Sequence, residues 1–354
     1  EKVKTNPKIK VVTGAEIRKI DGFIGNYKTT IAAGGQEQQY DHGVVLVATG
    51  AYELETKEYG YGTSEAIVVQ RDLEKMIHDR DDKVGAARNV VMIQCVGSRS
   101  FERPYCSRYC CSEAIKNALK LKELDPEKDV TILYRDIRTY GLKEDFYKKA
   151  RELNVKFVRF DEERKPEVKV DGGKVTVSVF DPVMNEPVDL RADILALSVG
   201  TVPNPDNVAT GMMLKVPTNQ DGFFLEAHVK LRPVDFATDG VFMCGMSHAP
   251  KMSDETIAQA NAAVSRACTI LTKDYIESEG KTAYVNKERC MACGLCESNC
   301  PYGAVAVDMA EGCAVVNSVL CKGCGVCTAS CRMNAIDLNG FNNEEVLAQI
   351  SSAI

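Results

Sequence analysis

The sequence lacks the features that mark several protein classes. No apolar run approaches the roughly 18 residues that a membrane-spanning helix needs, and no secretory signal peptide is visible. Acidic residues outnumber basic ones, 50 against 44, so the net charge is −6 and there is no basic excess. Because nucleic acids and acidic lipids are bound through basic surfaces, the composition argues against both as partners. Direct insertion into a membrane is equally unexpected.

Two further absences concern nucleotide binding and the start of the chain. No Gly-x-Gly-x-x-Gly loop, which would cradle the pyrophosphate of a dinucleotide, occurs anywhere in the sequence. The first residue is glutamate rather than methionine, and the residues after it read as the middle of a domain. We therefore expect that a segment upstream is missing.

The sequence is rich in cysteine. Twelve of its 15 cysteines fall in three tight groups, a distribution typical of metal ligands and of a reducing cytoplasm rather than of a secreted disulfide scaffold. Two groups lie near the C-terminus and repeat each other after 31 residues: Cys290-x2-Cys293-x2-Cys296-x3-Cys300 and Cys321-x2-Cys324-x2-Cys327-x3-Cys331.

This spacing is that of two-cluster bacterial ferredoxins, in which the fourth cysteine of each run binds the cluster of the other run. It predicts two [4Fe-4S] clusters. The expected ligand sets are Cys290, Cys293, Cys296 and Cys331 for one cluster, and Cys321, Cys324, Cys327 and Cys300 for the other. The alternatives are two zinc sites or a disulfide framework. Zinc sites normally use two Cys-x2-Cys pairs about 15–20 residues apart.

The third group occupies the turn of a predicted βαβ unit, whose strands are Val90–Cys95 and Val130–Arg135 and whose helix is Ser112–Leu124. Of the glycines that a dinucleotide-binding turn carries, only Gly97 remains, and four cysteines stand in that turn: Cys95, Cys106, Cys110 and Cys111. Negatively charged cluster sulfurs suit a helix N-terminus as phosphates do. We expect a third [4Fe-4S] cluster here. A redox disulfide such as Cys106–Cys110, or a site that uses three of the cysteines, is the alternative.

The glycine-punctuated strand ends resemble the thioredoxin-reductase branch of two-dinucleotide flavoproteins. Three segments carry the resemblance: Val47–Gly50, Leu197–Asn204 and Thr238–Gly245. The last precedes a predicted helix, Asp254–Asp274, whose N-terminus points at the flavin in that family and stabilises a reduced, anionic flavin. The resemblance implies an α/β two-dinucleotide-binding-domain core with FAD as cofactor, followed by an α+β bacterial-ferredoxin domain.

The same resemblance implies a set of flavin contacts. They are Glu16, Ala48, Thr49, Gly50, Gly245, Met246, Lys251, Thr256, Ile257 and Gln259. Lys251 is also implied to be catalytic, because its ammonium group can hydrogen-bond the flavin N5 or O4; a plain surface lysine is the alternative. His248 is a possible proton donor or an ordinary loop histidine. The sequence departs from the family in two ways, since the first glycine loop is absent and Gly245-Met246 stands where the family has Gly-Asp.

A second resemblance covers essentially the whole chain. Cys95–Arg99 and Pro104–Cys111 read CVGSR and PYCSRYCC, a motif that resembles the A-type subunits of heterodisulfide reductase and their relatives. Met246–Lys251, Glu255–Ala260 and the tail Phe341–Ile350 have counterparts in that family. The resemblance implies an oxidoreductase, the A-type component of a CoB-CoM heterodisulfide reductase, which carries FAD and several clusters and is active only within a multi-subunit complex.

In that family an electron pair is split, with one electron going to a component that reduces a disulfide and the other to ferredoxin. The implied partners are B- and C-type subunits, a hydrogenase- or formate dehydrogenase-type donor and ferredoxin, around a homodimeric core. A ferredoxin domain that many members insert before the Ala-Thr-Gly strand is missing here, which puts full bifurcation in doubt. The alternatives are a conduit component of a quinone-interacting membrane-bound oxidoreductase, an NAD(P)H-dependent flavoenzyme, and a simple ferredoxin-like carrier.

These segments predict four regions. Residues 1–51 and 202–276 form an FAD-binding domain that lacks its N-terminal part, and residues 52–201 form a degenerate pyridine-nucleotide-like domain that carries the third cluster. Residues 281–340 form the two-cluster ferredoxin domain, and residues 341–354 form a C-terminal helix.

Overall fold

The computed structural model describes residues 1–277 and 280–353. The strands are β1 Ala15–Phe23, β2 Asn26–Ala33, β3 Gln36–His42, β4 Val45–Val47, β5 Ala51–Glu53, β6 Ile67–Val69, β7 Asn89–Val96, β8 Asp129–Tyr134, β9 Lys156–Arg159, β10 Glu167–Asp171, β11 Lys174–Asp181, β12 Glu186–Ala192, β13 Ile194–Val199, β14 Thr201–Pro203, β15 Val241–Met243, β16 Ala283–Val285, β17 Val305–Asp308, β18 Cys313–Val316 and β19 Ile336–Leu338. The α-helices are α1 Lys2–Thr5, α2 Gln70–Asp79, α3 Asp82–Ala86, α4 Cys110–Leu124, α5 Glu144–Glu152, α6 Asn207–Leu214, α7 Ser253–Leu271, α8 Leu295–Asn299, α9 Val326–Ser330 and α10 Asn343–Ser352. Within the described residues, no helix is both long and apolar enough to cross a membrane.

A five-stranded parallel sheet forms the central body, in the order β6-β13-β7-β8-β9. Its inner strands are almost continuously apolar, and every residue of β13 is buried, because both faces of the sheet are covered. Helices α2, α4 and α5 pack on one face. The antiparallel sheet β10-β11-β12 packs on the other face through Val175, Val177 and Val179.

The cysteine loop leaves this sheet at the carboxyl end of β7 and returns as helix α4. That helix begins at Cys110, two residues earlier than the predicted Ser112, so Cys110 and Cys111 lie in its first turn. Open α/β sheets place their ligand sites at the carboxyl ends of the strands. The fold therefore puts the third cysteine group where such a site belongs.

A second body contains the segments that flank the central sheet in sequence. Strands β4 and β15 form a parallel pair, and α7 packs on it through Ala263 and Ala267, which meet Phe242. The antiparallel pair β5-β14 carries the chain into the central body and back. A separate antiparallel sheet, β1-β2-β3, precedes β4.

The C-terminal body repeats one unit with approximate two-fold symmetry. Strand pairs β16-β19 and β17-β18 flank the short helices α8 and α9. Equivalent backbone hydrogen bonds occur in the two halves: Asn286 N donates to Ala335 O, and Asn317 N donates to Ala304 O, both at 2.7 Å. This repeat is the structural form of the 31-residue sequence repeat.

The C-terminal body contacts the second body through two lysines. Lys322, next to Cys321, forms an ion pair with Asp239, and Lys215 Nζ donates to Tyr302 O at 3.4 Å. The tail helix α10 follows, with a capping box in which Asn342 and Glu345 exchange hydrogen bonds. None of the residues of α10 is buried. Ile354, the last residue of the predicted tail helix, lies outside the described residues.

The α/β core and the α+β cysteine-rich C-terminal body confirm the predicted fold class. The chain forms β4, leaves to build the five-stranded sheet, and then returns to form β15 beside β4. This path divides the core as the fold of a two-dinucleotide flavoprotein requires.

Lys128 offers a test of the packing in the central body. Its side chain is buried, and Nζ donates to Val84 O at 2.8 Å, Gly85 O at 3.1 Å and Ala87 O at 2.5 Å. These carbonyls end α3, where intrahelical partners run out. We expect Lys128→Met to lower the free energy of unfolding of this body by about 2–4 kcal/mol, because three backbone acceptors, two of them buried, lose a charged donor. Hydrogen–deuterium exchange of the β7 and β8 amides measures the change.

The matched control is Lys120→Met on α4, which removes a lysine that is exposed and paired only with Glu123. It should change the same exchange free energy by less than about 0.5 kcal/mol. Equal protection of β7 and β8 in the two variants would contradict the stabilising role of Lys128.

Candidate cluster and cofactor sites

Two cavities in the C-terminal body are each lined by four cysteines. The first cavity contains the sulfurs of Cys290, Cys293, Cys296 and Cys331. The second contains those of Cys300, Cys321, Cys324 and Cys327. Each cavity combines three cysteines of one run with the fourth cysteine of the other, which is the grouping that the spacing predicts. The two cavities are the candidate sites for two clusters.

Backbone N–H groups donate to the cysteine sulfurs in a pattern that follows the repeat. The pairs are Ala283 N with Cys321 Sγ and Ala314 N with Cys290 Sγ, at 3.3 Å, and Ala304 N with Cys300 Sγ and Ala335 N with Cys331 Sγ, at 3.2 Å. Such donors stabilise negative charge on sulfur. Gly294 and Gly325, with φ of 75° and 77°, make the turns that lead into α8 and α9, a conformation that glycine adopts without strain.

The thiols in these cavities crowd one another. Burial raises the pKa of Cys296, and the neighbouring Cys290 and Cys293 raise it further. Burial also raises the pKa of Cys327, followed by the effect of its three neighbours, Cys321, Cys324 and Cys300. Because the thiolate is the metal-binding form, each set can hold several charges only when a cation neutralises them. The donor set therefore fits an iron–sulfur cluster, whose protein ligands are thiolates.

The third cysteine loop has an unusual backbone. Cys95, Arg99 and Arg108 have φ of 63°, 56° and 64°, a conformation that costs roughly 1–3 kcal/mol per residue and persists where the surroundings enforce it, often at functional sites. Gly97 also has a positive φ of 66°, and a Cβ there would lie 2.1 Å from Leu54 Cδ2. The positive φ, together with this contact, favours glycine at position 97.

The four cysteines of this loop are near enough to one another to shift one another's pKa values. Burial raises the pKa of Cys95 to about 11, with smaller contributions that include Cys111 and Cys106. A hydrogen bond between Cys110 and Cys111 lowers the pKa of Cys111 to about 7 and raises the pKa of Cys110. The adjacent pair at the start of α4 thus belongs to the same group as the other two cysteines.

Polar atoms around this group are consistent with a bound, charged species. Arg108 N donates to Cys106 Sγ at 3.2 Å. The side-chain amide of Gln94, next to Cys95, and the hydroxyl of Ser112, next to Cys111, are buried with no hydrogen-bond partner among the described residues. Buried polar groups normally have a partner, and the sulfides of a cluster would accept such bonds. Across residues 1–277 and 280–353, no three His, Cys, Asp or Glu side chains converge on a point suited to a single metal ion.

A cavity of about 740 Å³ separates the cysteine loop from the loop that follows β15. Its lining includes Cys106 and Tyr140 on one side and Ala249 and Pro250 on the other. The guanidinium of Arg108 forms hydrogen bonds on both sides of the cavity. It donates to Tyr140 Oη at 2.9 Å on one side, and to Pro250 O at 3.4 Å and Glu255 Oε1 at 2.5 Å on the other. Of the four cysteines, Cys106 therefore borders the cavity that reaches the predicted flavin loop.

Lys251 is buried in that loop rather than exposed on the surface. Its Nζ donates to Gly245 O at 2.7 Å and to Ala249 O at 3.0 Å. Burial lowers the pKa of Lys251 to about 8, and the positive charge of Arg108 contributes next. The lysine can therefore hold or release a proton within the physiological pH range.

His248 lies in a fixed hydrogen-bond chain beside Lys251. Its Nε2 meets Glu226 Oε2 at 2.8 Å, and its Nδ1 meets Gln259 Nε2 at 2.9 Å. Burial lowers the pKa of His248, so its ring is neutral at pH 7. Gln259 also accepts from Gly245 N at 2.9 Å and so joins α7 to the predicted flavin turn.

The remaining predicted flavin residues lie in three places. Ala48, Thr49 and Gly50 follow β4, where Thr49 Oγ1 donates to Asn207 Oδ1 at 2.9 Å, and the first two are exposed. Met246 and Thr256 are half-buried near Gly245, and Ile257 is exposed on the first turns of α7. Glu16 lies elsewhere in the fold, exposed in β1 of the antiparallel sheet, where it pairs with Arg18.

Sequence reasoning assigned no role to several residues that shape the site. Arg99 and Arg108 belong to the quoted motif, but nothing in a motif shows which way an arginine points. Asp136 pairs with Arg99 and follows β8, the parallel neighbour of β7. The rule that sites form at the carboxyl ends of parallel strands would have found Asp136. Glu255 stands three residues after Met252 and accepts from its backbone N–H, a spacing that signals a helix start.

The environment of Lys251 gives a pH-dependent prediction. Because Arg108 lowers the pKa of Lys251, replacing Arg108 with glutamine should raise it above the native value of about 8. The pH dependence of acylation of Lys251, followed by mass spectrometry, measures the titration. The control is Arg138→Gln, which removes an arginine from the same cavity that does not act on Lys251. A native-like midpoint in the Arg108 variant would contradict this electrostatic coupling.

A family profile described as a 4Fe-4S binding domain matches residues 283–306, which include the first cysteine run. Among solved structures, thioredoxin reductase from T. acidophilum gives a TM-score of 0.45 at 18% identity and covers 73% of each chain. An NAD-dependent persulfide reductase from A. fulgidus gives 0.48 at 16% identity, covering 77% of this chain and 47% of the other.

Proteins found by sequence comparison share a higher sequence identity with this chain than these solved structures do. The A-type component of the H(2):CoB-CoM heterodisulfide,ferredoxin reductase from Methanothermobacter thermautotrophicus is 37% identical over 337 residues, which are 90% of this chain and 50% of that protein. The A-type component of the H(2)/formate:CoB-CoM heterodisulfide,ferredoxin reductase from Methanococcus maripaludis is 36% identical over 343 residues, 90% of this chain and 51% of that protein. The chain is therefore a homologue of the A-type subunits of heterodisulfide reductase, and it spans about half the length of these relatives.

Proposed function

We propose that this chain is the FAD- and iron–sulfur-carrying electron-transfer part of an oxidoreductase complex of the heterodisulfide reductase type. The observation that carries the proposal is the grouping of twelve cysteines into three sets of four in the fold. Cluster sites in series are what an electron conduit needs, because each cluster exchanges single electrons. The similarity to the A-type subunits of heterodisulfide reductase along 90% of the chain supports this type of complex.

In the proposal each set of four cysteines holds one [4Fe-4S] cluster, which when bound supplies one-electron transfer. The chain contributes the thiolate ligands and, in the C-terminal body, the backbone N–H donors that stabilise their charge. In the third set, the partial positive charge at the N-terminus of α4 acts on Cys110 and Cys111 in the same way. These groups decide how much negative charge each site accepts.

The second body offers one wall of an FAD site. The turn at Gly245, the start of α7, Lys251 and the segment Ala48–Gly50 form this wall. The pyrophosphate-binding glycine loop is not in this sequence, so in the proposal another segment of a full-length protein supplies it. When bound, FAD supplies both two-electron and one-electron chemistry. Below pH 8 the charged Lys251 favours negative charge in this site, and above pH 8 that effect fades.

The arrangement of the bodies supports an order for the three cluster sites. Cys106, Ala249 and Pro250 line one cavity, which supports a third cluster site next to the proposed flavin wall. In the C-terminal body, Tyr302 and Lys322 make the contacts to the second body, and both are neighbours of the second cavity. The proposal therefore makes the second cavity the inner site and the first cavity the outer one.

The proposed partners follow from the complex. The names of the relatives include hydrogen or formate, the CoB-CoM heterodisulfide and ferredoxin. We propose B- and C-type subunits, a hydrogenase- or formate dehydrogenase-type donor, and ferredoxin, around a homodimeric core in the cytoplasm. Within the complex, an electron pair is divided between the heterodisulfide-reducing subunits and ferredoxin by electron bifurcation, or combined in the reverse direction.

The crossed ligation of the two C-terminal cavities can be tested by counting iron. Cys293→Ala with Cys331→Ala removes two ligands of one cavity, whereas Cys293→Ala with Cys300→Ala removes one ligand from each. Relative to the native protein, we expect the first pair to lose about four irons and the second about eight, at four irons per cluster. The first pair removes one cysteine from each sequence run, and the second pair removes two cysteines from the first run. Because both variants lose two cysteines, each is the control for the other. Equal losses would contradict the crossed assignment of ligands.

The function itself is tested in the assembled complex. The chain is combined with heterodisulfide-reducing subunits under anaerobic conditions, reduced ferredoxin is added, and heterodisulfide consumption is measured. We expect Cys106→Ala to lower the rate at least tenfold, because the third set joins the flavin wall to the rest of the chain. Met309→Ala, an exposed change in the turn between β17 and β18, is the control and should keep the native rate. A native rate for the Cys106 variant would contradict the proposed role of this set.

A further inference from the structure

The geometry points to Arg99 as the residue that sets the reduction potential of the third cluster, by directing a charged hydrogen-bond donor at its sulfur atoms. This inference rests on the proposed function, in which Cys95, Cys106, Cys110 and Cys111 hold that cluster. It goes further by naming a residue outside the ligand set that acts on the cluster through its charge.

The backbone and side chain of Arg99 are held in place from three sides. Its N–H donates to Tyr105 O at 3.1 Å, and its carbonyl accepts from Arg135 Nη1 at 2.7 Å. Its Nη2 donates to Asp136 Oδ2 at 2.6 Å. The side chain is only 17% exposed, and the residue has a φ of 56°. A long, flexible side chain is here fixed in one position, at the cost of backbone strain.

One donor nitrogen of this fixed guanidinium has no partner. Nη1 of Arg99 is buried and makes no hydrogen bond to any residue that the structure describes. The cysteine set lies beside this guanidinium, because Asp136, which binds Nη2, also accepts a hydrogen bond from Cys111 Sγ through its backbone carbonyl at 3.6 Å. The positive charge of Arg99 opposes the rise that burial causes in the pKa of Cys95, and it helps to lower the pKa of Cys111. A buried charged donor without an acceptor is costly. A cluster sulfur at this position would satisfy it.

Asp136 fixes the orientation of the Arg99 charge relative to solvent. Its carboxylate binds Nη2 and is half-exposed, whereas its backbone carbonyl accepts from Cys111 Sγ at 3.6 Å. The negative end of the Arg99–Asp136 pair thus lies toward solvent, and the positive end lies toward the cysteines. Charges near solvent are screened more strongly than buried ones, so the cysteine set experiences a net positive field.

The physical consequence concerns the stability of the reduced cluster. A one-electron reduction adds one negative charge to the cluster, and a fixed positive donor stabilises that charge. Hydrogen bonds to the sulfurs and net charge are among the factors that set cluster potentials. Arginine suits this position better than lysine, because its planar group can bind a carboxylate with one nitrogen and a sulfur with another. Arg99 should therefore raise the potential of this cluster.

The test compares Arg99→Gln with the native holoprotein by redox titration monitored by EPR, together with iron analysis. We expect unchanged iron content and a third-cluster signal that appears at lower potential. At a fixed potential the ratio of oxidised to reduced cluster should rise at least tenfold, a shift of about 59 mV for a one-electron couple. The control is Arg103→Gln on the same loop, because Arg103 donates to Gly97 O and Glu102 and, among the described residues, forms no hydrogen bond with the four cysteines. It should leave the third-cluster potential at the native value.

The outcomes separate this inference from the proposed function. A native protein with about eight irons, the content of two clusters, would overturn both. A native protein with about twelve irons, and a third cluster whose potential is the same in the Arg99→Gln variant, would overturn the inference alone. If Arg99→Gln loses iron, Arg99→Lys is titrated instead. A potential below the native value then supports the inference, and a native potential contradicts it.

Discussion

The C-terminal body depends on holding four mutually repelling sulfurs in one small volume, twice over, and the proposed third cluster site imposes the same demand on the central body. A thiolate is the form that binds metal, but burial raises the pKa of Cys296 and Cys327, and the neighbouring cysteines raise it further. The fold offsets this repulsion with backbone N–H groups at four sulfurs of the C-terminal body. At the third set it uses a helix N-terminus and an arginine. The remaining positive charge has to come from what the cysteines bind.

The same constraint explains how the central body departs from a nucleotide-binding domain. A phosphate site needs glycines so that the backbone can approach the ligand closely. In the proposal a cluster is held by side chains, so the glycines are dispensable, and Gly97 remains at a position whose φ is positive. The parallel sheet and helix α4 are present, and the proposed cluster would meet the helix N-terminus with negative charge as a phosphate does. The proposal thus gives one scaffold two ligands of the same charge.

Much of this arrangement could be predicted from the sequence, because it is encoded locally. The 31-residue repeat predicts both cavities of the C-terminal body, and the alternation of strand and helix predicts the parallel sheet that carries Cys95. Contacts between distant segments could not be predicted in the same way. The pairing of Arg99 with Asp136, and that of Arg108 with Glu255, join residues whose separation in sequence carries no periodic signal. Burial of Lys251 also depends on tertiary packing, which composition does not reveal.

The most direct measurement of the central claim is the iron and acid-labile sulfide content of the anaerobically purified chain, with Mössbauer spectra to identify the iron species. The account predicts about twelve irons and as much sulfide per chain, all in four-iron clusters, since each cubane contains four of each. Zinc in place of iron, or a colourless protein with its cysteines joined as disulfides, would contradict it.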